Sequence, residues 1–274
     1  MKIYICTDME GCAGILNHDD WVTPNGRWYE TGLKILTEET NAAIEGFFEG
    51  GASEITVLDG HGFGGIHPLL LDERVKLLRG PMTPGTYFNL DRSYDGLAFI
   101  GQHAKAGTPY SHITHTGWFN VIDDSINNIS VGEFGIFALC AMELGIPTIF
   151  AAGEKAFAKE AKSLTPGIIT VAVKEGILPD TFENLSTEEY AKAKLGAIHL
   201  HHNEACRQIK KGACLAIKKL IENGKKAFKY PNIKPPYVRV TKFRAFNNKP
   251  AWTSRVKANS IIKLATMPPK KVEE

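Results

Sequence analysis

The chain has 274 residues, 43% hydrophobic and 23% charged, which is ample for a substantial core in one large domain or two modest ones. Its 32 basic and 30 acidic side chains leave a formal net charge of +2, so no electrostatic footprint for nucleic acid or a membrane surface is expected. No apolar run approaches membrane-spanning length, and no leader pattern opens the sequence. The five scattered cysteines, Cys6, Cys12, Cys140, Cys206 and Cys214, form no CxxC pair, so a reducing, cytoplasmic setting is expected.

Lys2 to Cys6 reads as a short buried strand. Leu33, Leu36, Thr40, Ala43, Ile44 and Phe47 recur at helical spacing until Gly50-Gly51 stops the helix. Ile55 to Leu58 is a second buried strand, which completes a right-handed βαβ unit. Leu97 to Ile100 is the next apolar run. A helical stripe at Phe134, Phe137, Ala138, Ala141 and Leu144 ends at Gly145-Ile146-Pro147. A strand at Thr148 to Ala151, a helix at Glu154 to Leu164 and a strand at Ile169 to Val173 follow. Ser186 and Glu189 make a capping box, and one long helix is expected from there toward Gly224. The basic stretch from Lys210 to Lys229 reads as its solvated face. YPNIKPPY, from Tyr230 to Tyr237, reads as an extended linker, and Val238 to Phe243 as a half-exposed strand.

Alternating strands and helices predict a three-layer α/β/α domain with a mostly parallel sheet over residues 1–185. The long helix and a smaller α+β portion are expected over 186–267, and a disordered tail over 268–274.

Ligands of open α/β sheets bind beyond the carboxyl ends of the strands. Asp8 and Glu10 follow the first strand, His61 the second, and His103 and then His115 the third, while Glu133 precedes the Phe134 helix. Taken singly, an Asp after a strand is a turn residue or cap, a buried His a hydrogen-bonded core residue, and Glu133 an answer to the helix dipole. Taken together they fall on one edge. Asp8 and Glu10 are two apart, so extended backbone points both carboxylates one way, where they repel unless a cation or proton lies between them. Two His, two Glu and one Asp suit zinc, with manganese or cobalt as alternatives. Five donors exceed what one catalytic zinc takes from protein, and two ions sharing Asp8 would account for them.

Elsewhere, His199, His202 and Cys206 fall at i, i+3 and i+7 on the long helix, which puts all three on one face, and read as structural or incidental. The glycine-rich DGHGFGG stretch matches no phosphate-binding pattern, no cysteine has an activating setting, and no G-x-S-x-G elbow occurs.

Five segments in order, IYICTDMEGCAGI (3–15), TEETNAAIEGFFEGGASEITVLDGHG (37–62), FIGQHAKAGT (99–108), HITHTGW (112–118) and VGEFG (131–135), give the chain a resemblance to the M55 peptidase family, the D-aminopeptidases. The likeness covers most of the first 175 residues. It implies a two-zinc aminopeptidase acting on short peptides with an N-terminal D-residue, such as D-Ala-D-Ala. By motif position Asp8, Glu10, His61, His103 and Glu133 carry over as metal ligands, and His115 as the catalytic histidine. It also implies a homo-oligomer, a decamer of two stacked five-membered rings. Asp59-Gly60-His61 stands where D-S-H is usual, Asn128 where Gly is frequent, and Ala152-Gly153-Glu154 where S-G-D is common; these departures touch pocket walls and bear on substrate identity. The competing readings are a two-metal amidohydrolase or phosphoesterase on the same edge, for which Lys105 is the nearest basic group, and a non-catalytic metal-binding scaffold.

Overall fold

Short apolar runs and longer amphipathic stretches fold as strands and helices in a computed structural model that describes residues 1–272. In chain order these are β1 (Lys2–Thr7), α1 (His18–Trp21), α2 (Tyr29–Gly50), β2 (Glu54–Leu58), β3 (Lys76–Leu78), β4 (Gly96–Gln102), β5 (Val121–Ile126), β6 (Ile129–Ser130), α3 (Glu133–Leu144), β7 (Thr148–Glu154), α4 (Lys155–Leu164), β8 (Ile169–Gly176), α5 (Thr187–Ala193), β9 (Ala197–His199), α6 (His202–Asn223), β10 (Tyr237–Phe243), β11 (Trp252–Ala258) and α7 (Ile261–Thr266).

Seven strands form the central sheet in the order β3-β2-β1-β4-β7-β8-β9, parallel throughout except for β9, which runs against β8. Both faces are buried, and β1 shows how: Ile3 and Ile5 join a core that includes Phe47 of α2 and Ile209 and Ala213 of α6, while Tyr4 and Cys6 join one that includes Phe134 and Phe137 of α3 and Phe157 of α4. Helices therefore cover both faces, as the sequence predicts. The order reverses between β1 and β4, since the chain leaves β1 toward β2 and β3 and then crosses back to build β4, β7 and β8. That switch point opens a crevice at the carboxyl ends of β1 and β4.

The smaller sheet is antiparallel, ordered β11-β10-β5-β6, and its core joins Ile126 and Tyr237 to Ile136 and Leu139 of α3 and Ile261 and Leu264 of α7. Inside it the buried Asp124 carboxylate accepts from Arg239 Nη2 at 2.6 Å and Nε at 3.0 Å. This sheet takes two strands from within residues 1–185, and α6 packs on the central sheet, so a boundary at 185/186 separates neither layer nor sheet.

Three expectations need correction. The capping box at Ser186 and Glu189 is present, but its helix stops at Ala193, and a separate helix begins at His202 with His201 as N-cap. Between them β9 bonds to β8, because Lys174 to Gly176 offered an unpaired sheet edge. His199 consequently lies in a strand, and only His202 and Cys206 share the helix face once drawn through all three. Lastly, the sequence predicts a disordered tail over 268–274, yet Arg255 N donates to Lys270 O and Val272 N to Thr253 O, each at 3.0 Å, which lays residues 270–272 along β11; residues 273–274 lie outside the described part.

Helices α2 and α6 cross closely over the sheet, and Gly46 sets the distance: a Cβ there would overlap the Lys210 carbonyl oxygen. Gly46→Ala raises helix propensity by up to about 1 kcal/mol. Separating the packed helices costs about 1–3 kcal/mol, so a net loss of up to about 2 kcal/mol is expected, read as a lower midpoint in denaturant or heat.

Candidate metal centre

Two close approaches build the site floor. Gly11 N donates to Gly101 O at 2.7 Å, and a side chain at Gly11 would overlap the Gln102 carbonyl. Gly101 itself sits at φ +73° with Asp8 O against its α-carbon, a place where a Cβ would meet both steric and conformational cost. The turn after β1 is thereby drawn onto the end of β4. From there Gln102 Nε2 donates to Asp8 Oδ2 at 2.7 Å and Glu133 Oε2 at 3.3 Å, bracing two carboxylates from different elements.

All six residues singled out in the sequence converge. His61 Nδ1 stands 3.2 Å from Asp8 Oδ1 and 3.3 Å from Glu10 Oε2. His103 Nε2 stands 3.3 Å from Asp8 Oδ2 and 3.6 Å from Glu133 Oε2, and His115 Nε2 lies 3.9 Å from Glu133 Oε1. The His103 and His115 rings stack with centroids 4.0 Å apart. Asp8, Glu10 and all three imidazoles are buried, whereas the Glu133 side chain is 36% exposed.

Whether this set suits a metal turns on the far nitrogens. His61 Nε2 donates to Val22 O at 2.7 Å, His103 Nδ1 to Ala104 O at 2.8 Å and His115 Nδ1 to Ile113 O at 2.9 Å. A carbonyl can only accept, so each of these nitrogens carries the proton, and a neutral ring turns its remaining lone pair toward carboxylate oxygens. Lone pairs facing lone pairs require a proton or a cation between them. His103 Nε2 and Glu10 Oε2 also lack any hydrogen-bond partner among the described residues. The donors group as Asp8, Glu10 and His103, and as His103, His115 and Glu133, with each group's ligand atoms within 4.8 Å of one another. The residues fit a divalent metal centre with mixed nitrogen and oxygen donors.

Without such a cation the site's electrostatics are lopsided. Burial and the adjacent Glu10 charge push the Asp8 carboxyl up. Burial opposes charge on His61 and His103 as well, but the facing carboxylates outweigh it and raise both. Burial and the neighbouring His103 bring His115 down to about 4, so its Nε2 lone pair is free in neutral solution. Its position beside Glu133 suits either a ligand or a proton-transfer group.

The sequence reading missed the supports. Glu154, at the end of β7, accepts from Ala104 N at 2.6 Å and His112 N at 2.7 Å, tying the His103 turn to the loop that carries His115. Buried Lys174 donates to the Glu10 carbonyl. A lysine just beyond an apolar run was the available signal for it, and Gln102 stood beside a chosen histidine.

Asp8, Glu10, His61, His115 and Glu133 line a cavity of about 380 Å³, whose other walls include Cys6, Phe63, Tyr87, Phe88 and Trp118. No lysine or arginine lines it among the described residues. Lys105 instead lines a separate cavity of about 530 Å³, where its Nζ donates to Ser130 O at 3.1 Å. The larger cavity contains none of the clustered donors.

Comparison with known proteins places the chain in a family. The sequence model of the M55 peptidases, described as D-aminopeptidase, matches residues 1–248. A D-aminopeptidase of Bacillus subtilis (strain 168) is 36% identical over 188 residues, 68% of each chain. A solved structure described as the Zn-dependent D-aminopeptidase DppA from Bacillus subtilis, a self-compartmentalizing protease, matches with a TM-score of 0.80 at 26% identity, over 96% of this chain and 93% of that one. With a donor cluster at the sheet's switch point and a family match spanning nine-tenths of its length, the chain belongs to the M55 peptidase family of D-aminopeptidases.

Proposed function

We propose that this chain is a zinc-dependent aminopeptidase that hydrolyses short peptides beginning with a D-amino acid, D-Ala-D-Ala among them. The observation that carries the reading is the set of three imidazoles, each with one nitrogen committed to a backbone carbonyl and the other facing carboxylate oxygens. The Zn-dependent description of the B. subtilis structure supports zinc as the ion, with manganese or cobalt able to use the same donors.

Asp8, Glu10, His61, His103 and Glu133 are the proposed ligands. Two ions are favoured by Asp8, whose Oδ1 faces His61 while Oδ2 faces His103. Zinc held there supplies Lewis acidity toward a peptide carbonyl and toward water. The protein's own part is positional. Gln102 and the Gly117 N–H, which donates to Glu133 Oε1 at 2.7 Å, fix the carboxylates. His115, neutral with its far nitrogen pinned, is placed as the proton-transfer group or nucleophile. A cavity rich in carboxylates, with no lysine or arginine among its described lining residues, suits a peptide's cationic amino end and lacks the cationic side chains that steady a transferring phosphate, which favours an aminopeptidase over a phosphoesterase.

No helix among the described residues is long and apolar enough to cross a membrane, in keeping with a cytoplasmic enzyme. The self-compartmentalizing description of the matched structure supports a homo-oligomer, and the reading extends to a decamer of two five-membered rings.

Three outcomes are expected. Metal-loaded protein should cleave D-Ala-D-Ala in preference to L-peptides and leave a phosphodiester intact; cleavage of the phosphodiester alone would overturn the reading. Asp8→Ala should lose bound zinc on elemental analysis and lose more activity than the roughly 10–100-fold that removal of an outer-shell partner costs. His115→Ala should keep its zinc and lose roughly 100-fold or more in kcat, the scale of a proton-transfer group; loss of zinc instead would make His115 a ligand.

A further inference from the structure

Exposed aromatic side chains gathered at one cavity mark a surface for a ligand, unlike apolar residues scattered singly. Phe63 is 57% exposed and Trp118 is 38% exposed, and both line the donor cavity. They arrive on different loops. Phe63 lies two residues beyond His61, and Trp118 three residues beyond His115.

Neither loop is loose at its base. Asp59 Oδ1 accepts from Gly65 N at 2.6 Å and Ile66 N at 3.2 Å, while its Oδ2 meets Arg79 at 2.7 Å, so the Phe63 turn is cinched behind the ring. Trp118 follows Gly117, whose N–H holds Glu133, and its ring meets the edge of His18 at 5.2 Å. The two rings are thus held at the cavity by contacts that do not bury them. Tyr87 and Phe88 add apolar wall to the same cavity. A substrate carrying only methyl side chains would leave these surfaces facing water.

We propose that Phe63 and Trp118 seat a large apolar or aromatic side chain on the first residue of the peptide, so that this enzyme prefers D-Phe or D-Leu at that position over D-Ala. The inference rests on the aminopeptidase reading above and deepens it. The first residue is assigned because its α-carbon is bonded to the scissile carbonyl, which must lie at the donors, and both rings sit within three residues of the histidines there. Transfer of the larger side chain from water onto the rings supplies the discrimination.

The test compares kcat/KM for D-Phe-Gly, D-Ala-Gly and D-Ala-D-Phe on the zinc-loaded enzyme, together with quenching of Trp118 fluorescence, isolated by subtracting the signal of Trp118→Phe. D-Phe-Gly should exceed D-Ala-Gly by about tenfold or more and should quench Trp118 at lower concentration. In Phe63→Ala and Trp118→Ala the ratio should fall toward unity through a higher KM for D-Phe-Gly, with zinc content and melting temperature retained, while Trp118→Phe and Phe63→Tyr keep most of the preference. Faster cleavage of D-Ala-Gly by the unaltered enzyme would overturn the inference and leave the aminopeptidase reading standing. A gain confined to D-Ala-D-Phe would overturn the assignment to the first residue. If no D-peptide is cleaved the aminopeptidase reading fails; tighter Trp118 quenching by D-Phe-Gly than by D-Ala-Gly would then still support the seat, and equal or absent quenching would remove it.

Discussion

Carboxylates that follow β1 and open α3 converge on buried imidazole lone pairs, an arrangement that burial penalises unless positive charge joins them. Much of the surrounding structure serves to hold this unfavourable assembly together. The β1 turn rests on the β4 turn through glycines that admit no side chain, Gln102 bridges Asp8 and Glu133, and Glu154 ties the His103 turn to the His115 loop. A cation converts this stored repulsion into affinity. The site therefore lies where two crossovers diverge, the place in a doubly wound sheet where strand ends leave room for a ligand.

The layers and the site were legible in the sequence for the same reason. Each β1, β2 and β4 strand is a short apolar run followed at once by polar residues, and the run is apolar because both faces of a parallel strand are buried. Ile3 and Ile5 pack one way and Tyr4 and Cys6 the other, so no alternation survives to mislead. Once the strands are placed, Asp8, His61 and His103 must share an edge. The glycine stop of α2 was equally plain: Gly51 takes φ +112° and returns its N–H to the last turn.

What escaped was whatever depends on distant pairing. β5 reads VIDDSI, with adjacent aspartates that carry no strand signal; Asp124 is tolerable only because Arg239, more than a hundred residues later, faces it across the sheet. The β9 strand is three residues long and exists because β8 has an edge to fill, which broke a helix that local periodicity ran together. Gln102, Glu154 and Lys174 act through backbone groups of other segments, and spacing along one segment does not encode such contacts.

The smaller sheet has a further consequence. Residues 121–130 lie between His115 and Glu133; they form β5, which pairs with β10 from the far end of the chain, and β6, which pairs with β5. The carboxy-terminal hairpin is thus the partner that gives this intervening stretch its shape, rather than an appendage to a finished catalytic body. A fragment ending before Tyr237 would keep all six site residues in its sequence yet lack the strand that spans the gap between two of them. The natural unit of this enzyme, for dissection or for grafting, is the chain through β11.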